Sequence, residues 1–191
     1  MNPRGNEHNA RLNKHVNPAA SIAVKALRED TLDEIIKKTD NPLILILDCI
    51  QDPHNLGAIL RTADGAGVHA VVAPKDKSVA ITDTVLRVSV GAAEKVPFIQ
   101  VTNLSRTMKT MQEAGVWIVG TSDKGDRNIY DIDFKGAVAL VIGAEGEGMR
   151  RLTEENCDFL ACIPMKGSVP CLNASVATGV CLYEAVRQRS V

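Results

Sequence analysis

Three short polar stretches hold most of the side chains with which this sequence could do chemistry, and each follows an apolar run. The first, Asp52–Asp64, carries Asn55, Gly57, Ala58 and Arg61. Asn55 is a good helix N-cap. Gly57, Ala58 and Arg61 then stand three and four residues apart on one helix face. A long arginine over two small residues leaves a groove into which its fork reaches, which suits bidentate recognition of a phosphate or carboxylate. Pairing of Arg61 with Asp64 or another surface acid is the alternative. The second stretch, Val141–Met149, has glycines at 143, 146 and 148 that let backbone approach a ligand. Their order is G-x-x-G-x-G, not the G-x-G-x-x-G of a dinucleotide turn, and Glu145 and Glu147 would repel a phosphate. A neutral or positive ligand suits this loop, and a sulfonium bearing an amino group fits better than a dinucleotide. The alternative is a tight strand-to-helix turn whose acids favour the helix N-terminus. The third stretch, Lys166–Ser175, offers Ser168, Asn173 and Ser175, with Asn173 or Ser175 able to cap a helix.

The elements that must position these groups alternate along the chain. Leu43–Leu47 reads as a fully buried strand, followed by a helix from Leu56 to about Ala66. Strands are then expected at Val68–Ala73, Val96–Val101, Val116–Gly120, Ala137–Ile142 and Phe159–Ile163. Helices are expected at Asp83–Ala93, Leu104–Glu113, Met149–Glu155 and Ala174–Arg187, with a polar loop running from Gly120 through Asp126. Val176, Val180, Tyr183 and Val186 fall at helical spacing, which predicts that this side of the last helix is buried. Ahead of these, Asp30–Lys38 reads as a short helix with a cap and acids at its start and lysines at its end, and Ser21–Leu27 as a short edge strand. The alternation implies an α/β domain with a mainly parallel sheet flanked by helices. In such sheets ligands lie beyond the carboxyl ends of the strands, where all three polar stretches begin.

Composition agrees. The chain has 191 residues, 45% apolar and only 3% aromatic, so its core must be built from Val, Ile, Leu and Ala. Such a core favours a buried parallel sheet. Residues 1–18 are polar and aperiodic and read as a disordered arm or linker remnant, with 19–191 forming one domain. No apolar run reaches the length of a membrane span, and no signal peptide follows Met1. The five cysteines form no C-x-x-C pair and read as buried free thiols of a reducing, cytoplasmic compartment, without disulfide or metal. A net charge of −1 excludes nucleic-acid binding through bulk charge. RNA would have to meet clustered groups: the arm, Arg61, Lys75, Lys77, Arg150, Arg151 and Lys166.

Together Asn55-Leu56-Gly57-Ala58 with Arg61, Ile142-Gly143-Ala144-Glu145-Gly146-Glu147-Gly148 and Leu172-Asn173-Ala174-Ser175 resemble, in order and spacing, the three motifs of the SpoU (TrmH) family of RNA 2′-O-ribose methyltransferases. The resemblance runs from about Leu43 to Arg189 and is greatest to members that methylate a guanosine of 23S ribosomal RNA. It implies a deep C-terminal trefoil knot, which short-connection rules would not find. It also implies S-adenosylmethionine as methyl donor, ribosomal RNA as partner and a homodimer that frames the site. Gly143, Ile163 and Leu172 correspond to cofactor-contacting positions, and Gly146 and Ser175 join them in the same loops. Arg61 corresponds to the arginine that contacts the ribose-phosphate, with Asn55, Glu145, Ser168 and Asn173 orienting ribose, arginine and cofactor. A guanidinium is nearly always protonated, so orienting the phosphate suits Arg61 better than acting as base. The resemblance departs at the start: the residues before Leu43 are too few for the small RNA-binding domain such members carry. Methylation of tRNA or another ribosomal position, and a non-catalytic knotted RNA-binding factor, are the alternatives. A dinucleotide oxidoreductase is opposed by the glycine order.

Overall fold

A computed structural model describes residues 26–190. The expected arm at 1–18 and most of the edge strand expected at Ser21–Leu27 lie outside the described residues. Leu27 itself makes a single parallel bridge to Ile99.

The fold grows from β1 (Leu43–Leu47), five apolar residues that are all buried, as an interior parallel strand requires. One edge of β1 pairs with β2 (Ala70–Pro74) and the other with β6 (Val138–Ile142), setting Leu45 opposite both Val71 and Leu140. Beyond β2 lies β3 (Phe98–Val101); beyond β6 lie β4 (Trp117–Thr121), β7 (Phe159–Cys162) and β5 (Arg127–Asn128). The seven-stranded order is β3-β2-β1-β6-β4-β7-β5, parallel at every pairing.

Side-chain alternation divides the core between the two faces of the sheet. Leu43, Leu45 and Leu47 point to one face, where α2 (Pro53–Gly65), α3 (Asp83–Ser89) and α6 (Ala174–Arg189) contribute Ile59, Leu60, Val85 and Leu182. Ile44 and Ile46 point to the other, under α1 (Glu29–Lys38) and α4 (Leu104–Glu113), which supply Leu32, Met108 and Met111. The short α5 (Arg151–Glu155) lies beside α4. The chain leaving β1 goes to α2 on the first face, whereas the chain leaving β6 goes to α5 on the second. Neighbouring strands whose connections part in this way open a crevice at their carboxyl ends. At the far end of α6, the Arg189 guanidinium donates to the carbonyls of Phe134, Asn41 and Gly136 at 2.7, 2.8 and 2.6 Å.

Several expectations from sequence are corrected. Helix α2 starts at Pro53, with the Asp52 carboxylate accepting from His54 N at 2.9 Å, so Asn55 lies inside the first turn and is not its cap. Proline at the first helical position explains the earlier start. The expected helix Asp83–Ala93 stops at Ser89, because Val90 and Gly91 adopt φ of 51° and 88° and a separate 3₁₀ turn follows at Ala92–Glu94. Helix α1 has no side-chain cap: Arg28 holds that position without a capping bond, and Glu29 instead accepts from Thr102 N at 2.8 Å. The polar stretch after β4 conceals β5, whose two residues pair with Ala161 and Cys162 of β7. Helix α6 is turned relative to expectation. Its buried stripe is Ala174, Thr178, Cys181, Leu182 and Ala185, while Val176 and Tyr183 remain 52% and 53% exposed. The small residues at 174, 178 and 185 let α6 sit close on the sheet and on α2; Val176 and Tyr183 are left outside, while Val180 is half-buried and Val186 packs against the edge of the core. The groove expected beside Gly57 is also filled: a Cβ there would lie 2.7 Å from Val88 Cβ, so this glycine is the seat of α3.

Candidate active site

A cleft of about 600 Å³ opens at the carboxyl ends of β4, β6 and β7, a size typical of small-molecule sites. Ile163, Met165 and Leu172 give it an apolar wall, and four acids, Asp123, Glu145, Glu147 and Glu154, line it together with Lys124. The cleft is therefore suited to a ligand with a flat apolar part and a positive part.

Opposite the apolar wall stands the loop Gly143–Met149. Ala144 and Gly148 exchange backbone hydrogen bonds, N–H of each to C=O of the other, both at 2.9 Å. The loop is thus folded into a narrow tongue. A Cβ at position 143 would lie 2.3 Å from the Gly148 carbonyl carbon and 2.4 Å from Met149 N, so no side chain is accommodated there. Both ends of the tongue are tied to one residue. Asp48 N donates to Ile142 O at 2.8 Å where the tongue begins. Asp48 Oδ2 accepts from Arg150 N at 2.8 Å where it ends, and Oδ1 accepts from Arg150 Nε at 2.8 Å, with Nη2 in ion-pair contact at 2.6 Å. The Asp48 side chain is fully buried. Its neighbour Cys49 has its thiol pushed up by burial and by the Asp48 charge. Asp48 is not among the residues that motif and spacing single out; by those criteria it is one of several polar residues after β1. The available signal is a lone acid directly following five buried apolar residues, where only a fully bonded carboxylate is tolerated.

The three polar stretches meet at Asn173. Its Nδ2 donates to Asn55 Oδ1 at 3.0 Å and to Glu145 Oε2 at 3.1 Å. Its Oδ1 accepts from Ser175 N at 2.9 Å and from Ser175 Oγ at 2.6 Å, which makes Asn173 the N-cap of α6. One amide thereby joins α2, the tongue and α6 and uses both ends of its hydrogen-bonding capacity.

The candidate residues are distributed unevenly. Gly143, Glu145, Gly146, Ile163 and Leu172 line the cleft. Asn55, Asn173 and Ser175 form the junction beside it. Arg61 and Ser168 lie outside the lining, are exposed, and make no side-chain hydrogen bond or ion pair among the described residues. The alternative pairing of Arg61 with Asp64 is thus not seen. Arg150, counted among groups able to meet RNA, is bonded to Asp48, and the exposed Arg151 pairs with Glu155 four residues on. One further expectation is revised. All five cysteines are free thiols, but they are not uniformly buried: Cys49 and Cys181 are buried, Cys157 and Cys162 are half-buried, and Cys171 is exposed at the cleft.

Residues 42–183 match the SpoU rRNA Methylase family. The chain belongs to that family. Among curated members, it is 62% identical over 161 residues to the 23S rRNA (guanosine-2′-O-)-methyltransferase RlmB of Ralstonia nicotianae, a match covering 84% of this chain and 65% of that protein. It is 59% identical over 163 residues to RlmB of Escherichia coli, covering 85% and 67% respectively. The chain thus spans about two thirds of the length of these relatives. Among solved SpoU structures, AviRb from Streptomyces viridochromogenes in complex with AdoMet superimposes with a TM-score of 0.74 at 32% identity, over 80% of this chain and 59% of that one. The parallel α/β architecture is shared across these SpoU structures, including a TrmH/SpoU tRNA modifying enzyme from A. aeolicus with a TM-score of 0.72 at 31% identity, over 85% of this chain and 82% of that one.

Proposed function

We propose that this SpoU member transfers a methyl group from S-adenosylmethionine to the ribose 2′-oxygen of a guanosine in 23S ribosomal RNA. The observation that carries this reading is the Asn173 junction, which ties the three motif stretches together at the rim of one cleft. The cleft fits the donor by the chemistry of its lining: Ile163, Met165 and Leu172 suit an adenine, and the carboxylates suit an amino group and a sulfonium. When bound, the donor supplies an already activated methyl carbon.

The protein then has to align a 2′-oxygen with that carbon and help remove one proton. With the donor bound, the new O–C bond would form as the S–C bond breaks, the hydroxyl proton would leave to a base and S-adenosylhomocysteine would remain. Asn173, with Asn55 and Glu145 each bonded to its amide, restricts where the ribose can sit. Arg61, exposed and without a protein partner among the described residues, serves to hold the substrate phosphate. Ser168, equally uncommitted, serves as a further contact to the incoming nucleotide. Replacing Arg61 by Ala is expected to abolish methyl transfer to a ribosomal RNA hairpin while leaving S-adenosylhomocysteine affinity nearly unchanged by calorimetry. Near-normal turnover would remove Arg61 from the mechanism. A 2′-oxygen is reached more easily in a loop whose nucleotide can be splayed out than in a duplex, so the same sequence annealed as a duplex should accept little methyl.

The functional unit is proposed to be a homodimer with the C-terminal segment in a deep trefoil knot. Support for the knot comes from membership of the SpoU family. Support for the dimer comes from the outward side of α6, where Val176 and Tyr183 are left about half exposed. Light scattering at micromolar concentration should give twice the chain mass, and a Val176→Asp, Tyr183→Asp double variant should give a monomer.

A further inference from the structure

We infer that Asp48 is a positioning residue for the donor site: it holds the Gly143–Met149 tongue at both ends, and thereby sets the affinity for the adenosyl ligand without touching it. The inference rests on the proposed cofactor reading of the cleft. It stands on geometry at the crevice between β1 and β6. The backbone N–H of Asp48 fixes the last carbonyl of β6, Ile142 O, at 2.8 Å. Its carboxylate fixes the first residue beyond the tongue through Arg150 N at 2.8 Å. Arg150 is also where α5 begins: its carbonyl accepts from Thr153 N at 2.9 Å and Glu154 N at 3.0 Å. Glu154 in turn lines the cleft and accepts from Ser122 Oγ at 3.2 Å. One buried carboxylate therefore governs the tongue and the acidic wall next to it.

The arrangement depends on charge as well as shape. Each Asp48 oxygen accepts hydrogen bonds from Arg150, one from the backbone and the other from the guanidinium. An asparagine in the same space has only one accepting oxygen and must turn an N–H toward a donor. The tongue's exit would then lose one of its two attachments while the entry, made by backbone, persists. If the tongue is in its closed position in about a tenth of Asp48→Asn molecules, apparent affinity falls about tenfold.

The test is calorimetric titration of the full chain with S-adenosylhomocysteine, paired with amide hydrogen exchange, for wild type, Asp48→Asn and Arg150→Lys. The second variant keeps the charge and the backbone bond at a partly exposed position but loses the planar fork, and so remains informative if Asp48→Asn fails to fold. The expected result is affinity reduced about tenfold for Asp48→Asn and less for Arg150→Lys, with faster exchange confined to 143–155. In methyl-transfer assays the loss should appear in KM for the donor, with kcat recovered at saturation. Wild-type affinity in a folded variant, or faster exchange spread evenly over the whole sheet, would overturn the inference. Absence of ligand binding by wild type would overturn the cofactor reading instead, and local exchange at 143–155 would still decide whether Asp48 holds the tongue.

Discussion

The two walls of the cleft are built in opposite ways. The tongue Gly143–Met149 is closed on itself by the Ala144–Gly148 pair and tied at both ends to Asp48. The facing segment, Ile163–Leu172, has no hydrogen bond among the described residues, and most of it is exposed. Segments with few buried contacts and few internal hydrogen bonds open at low free energy. The difference implies a division of labour: a preformed wall that defines the site's shape, and a second wall that gains its order from what binds. Asn173 is the boundary between them, since it follows the loose wall directly and donates to Glu145 of the rigid one.

The largest effect should come from forcing the rigid wall open. Gly143→Ala puts a Cβ into the Gly148 carbonyl carbon at 2.3 Å. Stability should fall by about 1–3 kcal/mol, as for other overpacked sites, and S-adenosylhomocysteine binding should become undetectable by calorimetry. Retained binding would mean that the tongue is more compliant than its hydrogen bonds suggest. Next in size is the boundary. Asn173→Ala removes the α6 cap, worth about 1 kcal/mol of stability, and releases Asn55 and Glu145 together. We expect kcat/KM to fall by about 100-fold, roughly 2.7 kcal/mol of transition-state stabilisation, with a much smaller change in donor affinity. A proportional loss in both would make Asn173 part of the donor site alone. The smallest effect, and the sharpest for the comparison, is at the loose wall. Adding S-adenosylhomocysteine should slow amide exchange at 164–171 and slow maleimide labelling of the exposed Cys171, while tongue amides change little. Cys157 and Cys181, whose thiols burial pushes up to about 12, should stay unlabelled with or without ligand. Equal protection of both walls would erase the distinction.

The same contrast bears on what the order of residues reveals by itself. The interior strands are legible in it because burial on both faces leaves uninterrupted apolar runs, and β1 begins and ends with the run Leu43–Leu47. Strand β5 is not, since its two residues, Arg127 and Asn128, carry no apolar signal and become a strand only by pairing with β7. The inner face of α6 differs from expectation because periodicity marks a stripe of apolar residues without saying whether the sheet or a second surface covers it. Here the smaller residues take the inner position, where the backbone must approach closely. At the site, the motif stretches lead to Gly143, Glu145, Ile163 and Leu172, and the fold places these four along one cleft. Asp48 is hidden from such patterns because its importance lies in a partner 102 residues away, a distance over which local periodicity carries no information.

That separation has a consequence for how the protein is made. Strand β1 sits inside the sheet, yet its partner on one edge, β6, follows only after β2, β3, β4 and β5. At about 5–20 residues per second, synthesis leaves that edge of β1 waiting roughly 5–20 s for Val138 to arrive. During this time an apolar strand with open N–H and C=O groups faces the cell, the condition under which nascent chains aggregate or recruit chaperones. The last fastening is later still: Arg189 reaches back to Asn41 across 148 residues. A ribosome stalled just short of Asn173 would therefore hold a chain with every strand of its sheet and no junction between the motifs.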